Sequence, residues 1–138
     1  MTDLPVHGTL VDSNVLLDLF TEDPGWLEWS RDALVAAIDA GPVVINPIVY
    51  AEISVRFERI EELEDALPEL IKREELPWAA AFLAGKCFLE YRRRGGSKRS
   101  PLPDFYIGAH AAVTGRALLT RDPVRYRSVL PSLDLISP

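Results

Sequence analysis

Leu10–Phe20, "LVDSNVLLDLF", carries three polar residues where a buried strand would hand over to a helix. The aliphatic residues ahead of Asp12 suit a strand, and the apolar spacing from Asn14 to Phe20 suits a helix. Asp12, Ser13 and Asn14 stand at the junction. An aspartate there accepts hydrogen bonds from the first free amides of the helix. It is equally an oxygen ligand set at the end of a strand, where open sheets keep their sites. Residues elsewhere in the chain have to separate the two readings.

The same strand-then-helix grammar recurs along the sequence. "GTLVD" (Gly8 to Asp12) and "VVI" (Val43 to Ile45) read as short buried strands, with Asn46 and Pro47 capping and opening the next helix. Trp26 to Ala40 is a predicted helix stopped by Gly41 and Pro42, and "IVYAEISVRFER" another. "IEELEDALPELIKREEL" (Ile60 to Leu76) is acidic on one side and leucine-lined on the other, and is predicted to be a helical arm. A helix from Trp78 ends at Gly95 and Gly96, "SKRSPLP" is a loop, and a helix rich in small residues spans Asp104 to Gly115. "ALL" (Ala117 to Leu119) and "LDLI" (Leu133 to Ile136) complete the strands. Short aliphatic strands alternating with helices predict an α/β layer fold around a mainly parallel sheet.

The chain has 138 residues, a length that suits a single domain (1–138) with a substantial core. Its lone Cys87 rules out an intrachain disulfide, and no leader-like segment opens the sequence, so the expected compartment is the cytoplasm. No apolar run approaches the roughly 20 residues that a membrane span needs. A formal charge of −6 argues against general affinity for a polyanion, while leaving room for a local basic patch.

In a parallel sheet, strand carboxyl ends and helix N-termini share one edge. Asp12 follows the first strand, Asp122 follows "ALL", and Asp104 opens the helix that leads into "ALL". Glu52 lies about 9 Å along its helix from Asn46, at 1.5 Å per residue. Each acid also has a plain structural reading. Asp12 and Asp122 suit helix caps, Asp104 complements a helix dipole, and Glu52 suits an i,i+4 pair with Arg56. Together they pose a problem of repulsion, since two charges about 5 Å apart cost roughly 3 kcal/mol at an effective dielectric near 20. Raised pKa values or a bound cation answer it. An all-oxygen ligand set suits Mg²⁺ or Mn²⁺ rather than zinc; His7 and His110 form no paired zinc motif and read as structural. Ser13, Asn14 and Thr120 are candidates for orienting the carboxylates. A hydrated ion among acids is equipment for phosphodiester hydrolysis.

"VDSNVLLDLF", "NPIVYAEI", "LPDFYIGAHAAVTGRALLTRD" and "YRSVLPSLDLISP" closely resemble the PIN domain, and within it the VapC-type toxins of toxin–antitoxin pairs. The resemblance covers essentially the whole chain. It implies a three-layer α/β/α sandwich and a metal-dependent ribonuclease. Asp12, Glu52, Asp104 and Asp122 match the family's four acids in order, with Asp12 and Asp104 holding the principal Mg²⁺ or Mn²⁺. Glu52 and Asp122 complete the pocket and Thr120 matches its supporting hydroxyl. A homodimer whose apolar helices receive a VapB antitoxin is implied as well, with an antitoxin arginine offered to the acids.

An acidic pocket needs help to hold RNA. "YRRRGGSKRS" sets Arg92, Arg93, Arg94, Lys98 and Arg99 just ahead of Asp104 as candidate phosphate contacts. Cations in the last turn of a helix also stabilise its negative end. Trp26, Trp29 and Trp78 read as core or interface anchors. The alternatives are a PIN nuclease of RNA maturation, a noncatalytic interaction module, and a phospho-acceptor signalling domain. The last would want a lysine where "ALLTRD" offers Arg121.

Overall fold

The computed structural model describes residues 8–99 and 102–138. His7, Ser100 and Pro101 lie outside them. The order along the chain is β1 (Thr9–Val11), α1 (Ser13–Thr21), α2 (Leu27–Ala40), β2 (Val43–Ile45), α3 (Pro47–Ser54), α4 (Ile60–Ala66) and β3 (Ile71–Arg73). There follow α5 (Trp78–Arg93), α6 (Pro103–Thr114), β4 (Ala117–Leu119), α7 (Pro123–Val129) and β5 (Leu135–Ile136).

The five strands form one parallel sheet in the order β3-β2-β1-β4-β5, as the α/β reading required. β1 is central, with Leu10 in register between Val44 and Leu118. β1, β2 and β4 are buried throughout, which explains runs of Thr, Val, Ile, Ala and Leu without polar alternation. The chain winds outward from β1 to β3, returns to β4 on the other side, and continues to β5. Right-handed crossovers then assign α1 to α4 to one face and α5 to α7 to the other. The reversal makes β1 and β4 the switch point, where a crevice opens at the strand carboxyl ends.

Two expectations are corrected. The helical arm over Ile60 to Leu76 is a helix only to Ala66; Pro68 denies the next turn its amide, and Ile71–Arg73 joins the sheet as β3. Only Ile71 of that strand is buried, so its apolar signal was a single residue deep. The helix predicted through "IVYAEISVRFER" ends at Ser54.

Local chemistry fixes the termini around the sheet. Gly8 has φ +74°, and a Cβ there would stand 2.1 Å from the Pro42 carbonyl oxygen, so only glycine lets β1 begin beside the α2–β2 turn. Asn46 caps α3 by accepting from the Val49 amide at 2.9 Å. The large core joins the sheet to α1, α2 and α3 through Val15, Leu16, Leu34, Val49 and Ile53. A second cluster, Ala80, Ala84, Cys87, Phe105 and Ala109, packs α5 on α6. Small residues there let the two helices approach closely. Among the described residues, no helix is long and apolar enough to cross a membrane.

Candidate active site

Asp12 closes β1: its amide donates to the Leu119 carbonyl at 2.9 Å, which prolongs the β1–β4 ladder to the lip of the crevice. The residue is 4% exposed, and both carboxylate oxygens are engaged. Oδ1 accepts from the Ser13 amide at 2.8 Å, so Asp12 does cap α1. Oδ2 accepts from the Thr120 hydroxyl and from the Tyr126 phenol, each at 2.8 Å. Burial drives its pKa above the ordinary aspartate value of 3.8; the Thr120 and Tyr126 bonds oppose that, and the Asp104 charge adds to it. An anion in this place is expensive without a cation.

The other three acids reach Asp12 through intermediaries. Ser13 Oγ donates to Glu52 Oε1 at 2.7 Å, giving Glu52 a partner across the crevice in place of the surface pairing with Arg56. Glu52 is half-buried, and its pKa is raised first by desolvation and then by the charges of Asp12 and Asp104, against the Ser13 bond. Asn14 Nδ2 lies 3.3 Å from Asp12 Oδ2, Thr120 Oγ1 and Asp122 Oδ2, its two hydrogens shared among three acceptors. Asp122 stands at the N-cap of α7 yet makes no side-chain cap bond there; its amide donates to Thr120 Oγ1 at 3.0 Å. The capping reading of Asp122 therefore gives way to a place in the acid network. Asp104, in the first turn of α6, faces Tyr126: the phenol oxygen is 3.5 Å from Asp104 Oδ1 and 2.8 Å from Asp12 Oδ2, which bounds the gap between those acids.

All four predicted acids thus meet at one edge with Ser13, Asn14 and Thr120 between them. The spacing is a separate matter. Among the described residues, no three carboxylate, imidazole or thiol side chains stand close enough together to hold an ion as they are. Hydroxyls and an amide occupy the space between the acids. The donor set itself is all oxygen, which is the set that suits Mg²⁺ or Mn²⁺.

Two residues of this region escaped the sequence reading, and a third, Arg121, entered it only as the residue that speaks against a signalling domain. Tyr126 is wholly buried, and burial followed by the charge of Asp12 pushes its pKa far up, so it is a neutral donor. Its place one turn after Asp122 on α7 was the only available signal. Arg125 Nη1 donates to Asp104 Oδ2 at 3.2 Å. Arg121 forms an ion pair with buried Asp18 at 3.0 Å and lies over the Trp26 ring, pinning the β4–α7 turn to α1. Its amide also donates to Asn14 Oδ1 at 3.2 Å.

The basic stretch lies beside the site, already partly committed. Arg93 and Arg94 pair with Glu90, Arg92 donates to the Lys98 carbonyl at 2.7 Å, and Arg94 donates to the Ser128 carbonyl on α7. Lys98 and Arg99 are exposed. Glu52, Tyr91, Asp104, Arg125 and Ser128 line a groove of about 500 Å³ that runs from the acids toward this stretch. His110 belongs elsewhere. It is buried between Asn46, 3.0 Å from Nδ1, and Glu74, 2.7 Å from Nε2, so it has the structural role expected of it. Trp26 and Trp29 pack edge to face, whereas Trp78 is 91% exposed.

The family profile described as the PIN domain matches residues 9–128. No curated protein sequence matches the chain significantly. Among solved structures, VapBC2 from Rickettsia felis, bound to a DNA fragment from its promoter, has a similar chain: TM-score 0.73, 17% identity, 94% of this chain and 97% of that one covered. A toxin–antitoxin complex from Klebsiella pneumoniae gives a TM-score of 0.68 at 22% identity, covering 94% and 96%. FitAcB from Neisseria gonorrhoeae gives 0.66 at 18% identity, covering 93% and 96%. These likenesses show a shared fold, and the profile covers most of the sequence, acids included. The chain belongs to the PIN domain family.

Proposed function

We propose that this PIN domain is a Mg²⁺- or Mn²⁺-dependent endoribonuclease and the toxin of a VapBC-type pair. The observation that carries the reading is the Tyr126 phenol set between Asp12 and Asp104 at the β1–β4 switch point. Ser13 and Asn14 tie Glu52 and Asp122 to the same carboxylate. Acids drawn from α3, the first turn of α6 and the N-cap of α7 toward one buried aspartate make sense if their charge is answered by a divalent cation.

Asp12 and Asp104 would hold the ion, with Glu52 and Asp122 completing its surroundings. A bound divalent ion supplies Lewis acidity toward a phosphodiester and a water of lowered pKa. The chain's own residues do the rest. Thr120 and Tyr126 fix Asp12 Oδ2 so that the carboxylate does not rotate. Glu52, with its affinity for a proton raised by burial, is the acceptor suited to take one from an attacking water. Asp122, oriented by Asn14, is suited to hold that water in line.

The partner readings rest on different features. The solved VapBC chains come from toxin–antitoxin complexes, which supports a VapB-type antitoxin here. An antitoxin arginine would find carboxylates able to accept its fork. Trp78 and Phe82, 91% and 69% exposed on consecutive turns of α5, are large apolar side chains without cover, which supports a homodimer or antitoxin contact through that helix.

One observation favours a noncatalytic interaction module instead: the acids, as they stand, are too dispersed for three of them to share an ion. Incubation of the purified chain with single-stranded RNA separates the two readings. The nuclease reading expects fragments in Mn²⁺, none in EDTA, and about a hundredfold less or lower still from Asp12→Asn, since a direct ligand should matter at least as much as the partners that orient it. RNA left intact by wild type in Mn²⁺, or cut equally by Asp12→Asn, would overturn it.

A further inference from the structure

Arg125 stands among the acids without a part in the chemistry given above. Its guanidinium meets Asp104 at 3.2 Å on the groove side of α7. The pair is lopsided. The arginine side chain is 64% exposed and the aspartate 21% exposed, so the anion is set in the wall while the cation sits on a flexible stem in solvent. Glu52 lines the same groove, and the charges of Asp122 and Glu52 lie within electrostatic reach of the guanidinium. Among the described residues, a single hydrogen bond holds it to Asp104.

Electrostatics makes this contact conditional. A divalent ion taken up by Asp104 brings two positive charges to the carboxylate that Arg125 occupies, and like charges at such distances repel. The displaced guanidinium needs another anion. It lines the groove between the acids and the end of α5, where Arg94 is tied to the Ser128 carbonyl. A guanidinium fork matches a phosphate better than it matches any other group a nucleic acid offers.

We propose that Arg125 has two successive partners: it rests on Asp104 as a substitute counter-charge before an ion binds, and then clamps a phosphate of RNA lying in the groove. This rests on the nuclease reading. It makes Arg125 a substrate-binding residue and gives the metal-free protein a built-in competitor for the cation. Metal and substrate then bind in a favourable order, because the ion that completes the site also frees the residue that grips the RNA.

The test uses the full chain. Mn²⁺ uptake is followed by titration calorimetry without RNA. Binding of a fluorescein-labelled single-stranded RNA of mixed sequence is followed by anisotropy in Ca²⁺, with a gel confirming that the probe is intact. Arg125→Ala is expected to bind Mn²⁺ about two- to fivefold more tightly, the range of an exposed ion pair removed. It is expected to bind RNA about fivefold or more weakly. Arg125→Lys keeps the charge without the fork, and should hold the wild-type Mn²⁺ affinity while recovering only part of the RNA binding. Mn²⁺ affinity in Arg125→Ala equal to or weaker than wild type overturns the counter-charge, and unchanged RNA binding overturns the clamp. Wild type that takes up neither Mn²⁺ nor RNA brings down the nuclease reading and this role with it. Wild type that takes up both, with Arg125→Ala indistinguishable from it, removes the Arg125 role alone.

Discussion

One phenol hydroxyl, that of Tyr126, lies between the two acids expected to bind the ion. By packing Tyr126 is a core aromatic, touching Gly108 of α6 so closely that a Cβ there would stand 3.0 Å from the ring. What the sequence could not display is which way its oxygen points. Tyr126→Phe keeps the packing and removes the donor. It is expected to weaken Mn²⁺ binding about tenfold, as losses of carboxylate-orienting partners do, while changing folding stability by less than about 2 kcal/mol. Calorimetry paired with a urea melt checks both. Equal Mn²⁺ affinity would reduce Tyr126 to a packing residue.

Proton linkage belongs to the same scale. Asp12 and Glu52 hold their protons more tightly in the folded chain than at the ordinary values of 3.8 and 4.5. A raised carboxyl stabilises the fold below the ordinary range, and that contribution is lost as pH rises through the raised value. Ion binding has the opposite demand, since it needs the carboxylates ionised. Saturating Mn²⁺ should therefore raise the thermal midpoint by a margin that is still growing as pH climbs above those ordinary carboxylate values. Glu74, held below its ordinary value by Arg116, loses its contribution only at lower pH and does not disturb that window. A Mn²⁺ benefit already complete at those ordinary values would contradict the raised pair.

Among elements, the strands with continuous aliphatic runs and the helices with standard stops were legible. Pro47 and Gly41 marked termini, and Gly115 supplies the left-handed residue that ends α6. β3 was hidden because an edge strand with one buried residue has no periodicity to read. Pro68 was the available signal, and the leucines around it disguised it as helix. β3 does more than extend the sheet. It delivers Glu74, which accepts from Arg116 at 2.6 Å and meets buried His110 Nε2 at 2.7 Å. Asn46 faces Nδ1 of the same ring with its amide nitrogen, so the ring carries its proton on Nε2, toward Glu74. The cluster locks β3, the start of α3 and α6 to one another behind the acids. Glu74→Ala deprives the buried imidazole of its acceptor, and should cost about 1–3 kcal/mol in a urea melt. Mn²⁺ affinity should be unchanged, because the cluster supports the frame and does not touch the acids.

At the scale of the whole molecule, order and spacing predicted that the four acids share one edge, since a parallel sheet forces strand ends and helix starts there. The switch point between β1 and β4 could be recognised only once the pairing order was known. The basic stretch proposed to meet RNA was legible as a charge run but not in its allocation. Arg93 and Arg94 pair with Glu90 and Arg92 donates to a carbonyl, while Lys98 and Arg99, exposed as those three are, stand at the far end of the run. Replacing Lys98 and Arg99 together by Ala should lower RNA affinity and reduce the slope of log K against log salt by about 1–2, close to one for each phosphate no longer neutralised. An unchanged slope in a filter assay would take these two residues out of the interface.

Whether distant acids are gathered for a cation is decided by titrating Mn²⁺ into the purified chain beside Asp104→Asn. Saturable uptake by wild type, abolished or weakened at least tenfold in Asp104→Asn, is the expected result. Wild type that binds no Mn²⁺, or a variant that binds it equally well, would contradict the shared ion on which the proposed chemistry depends.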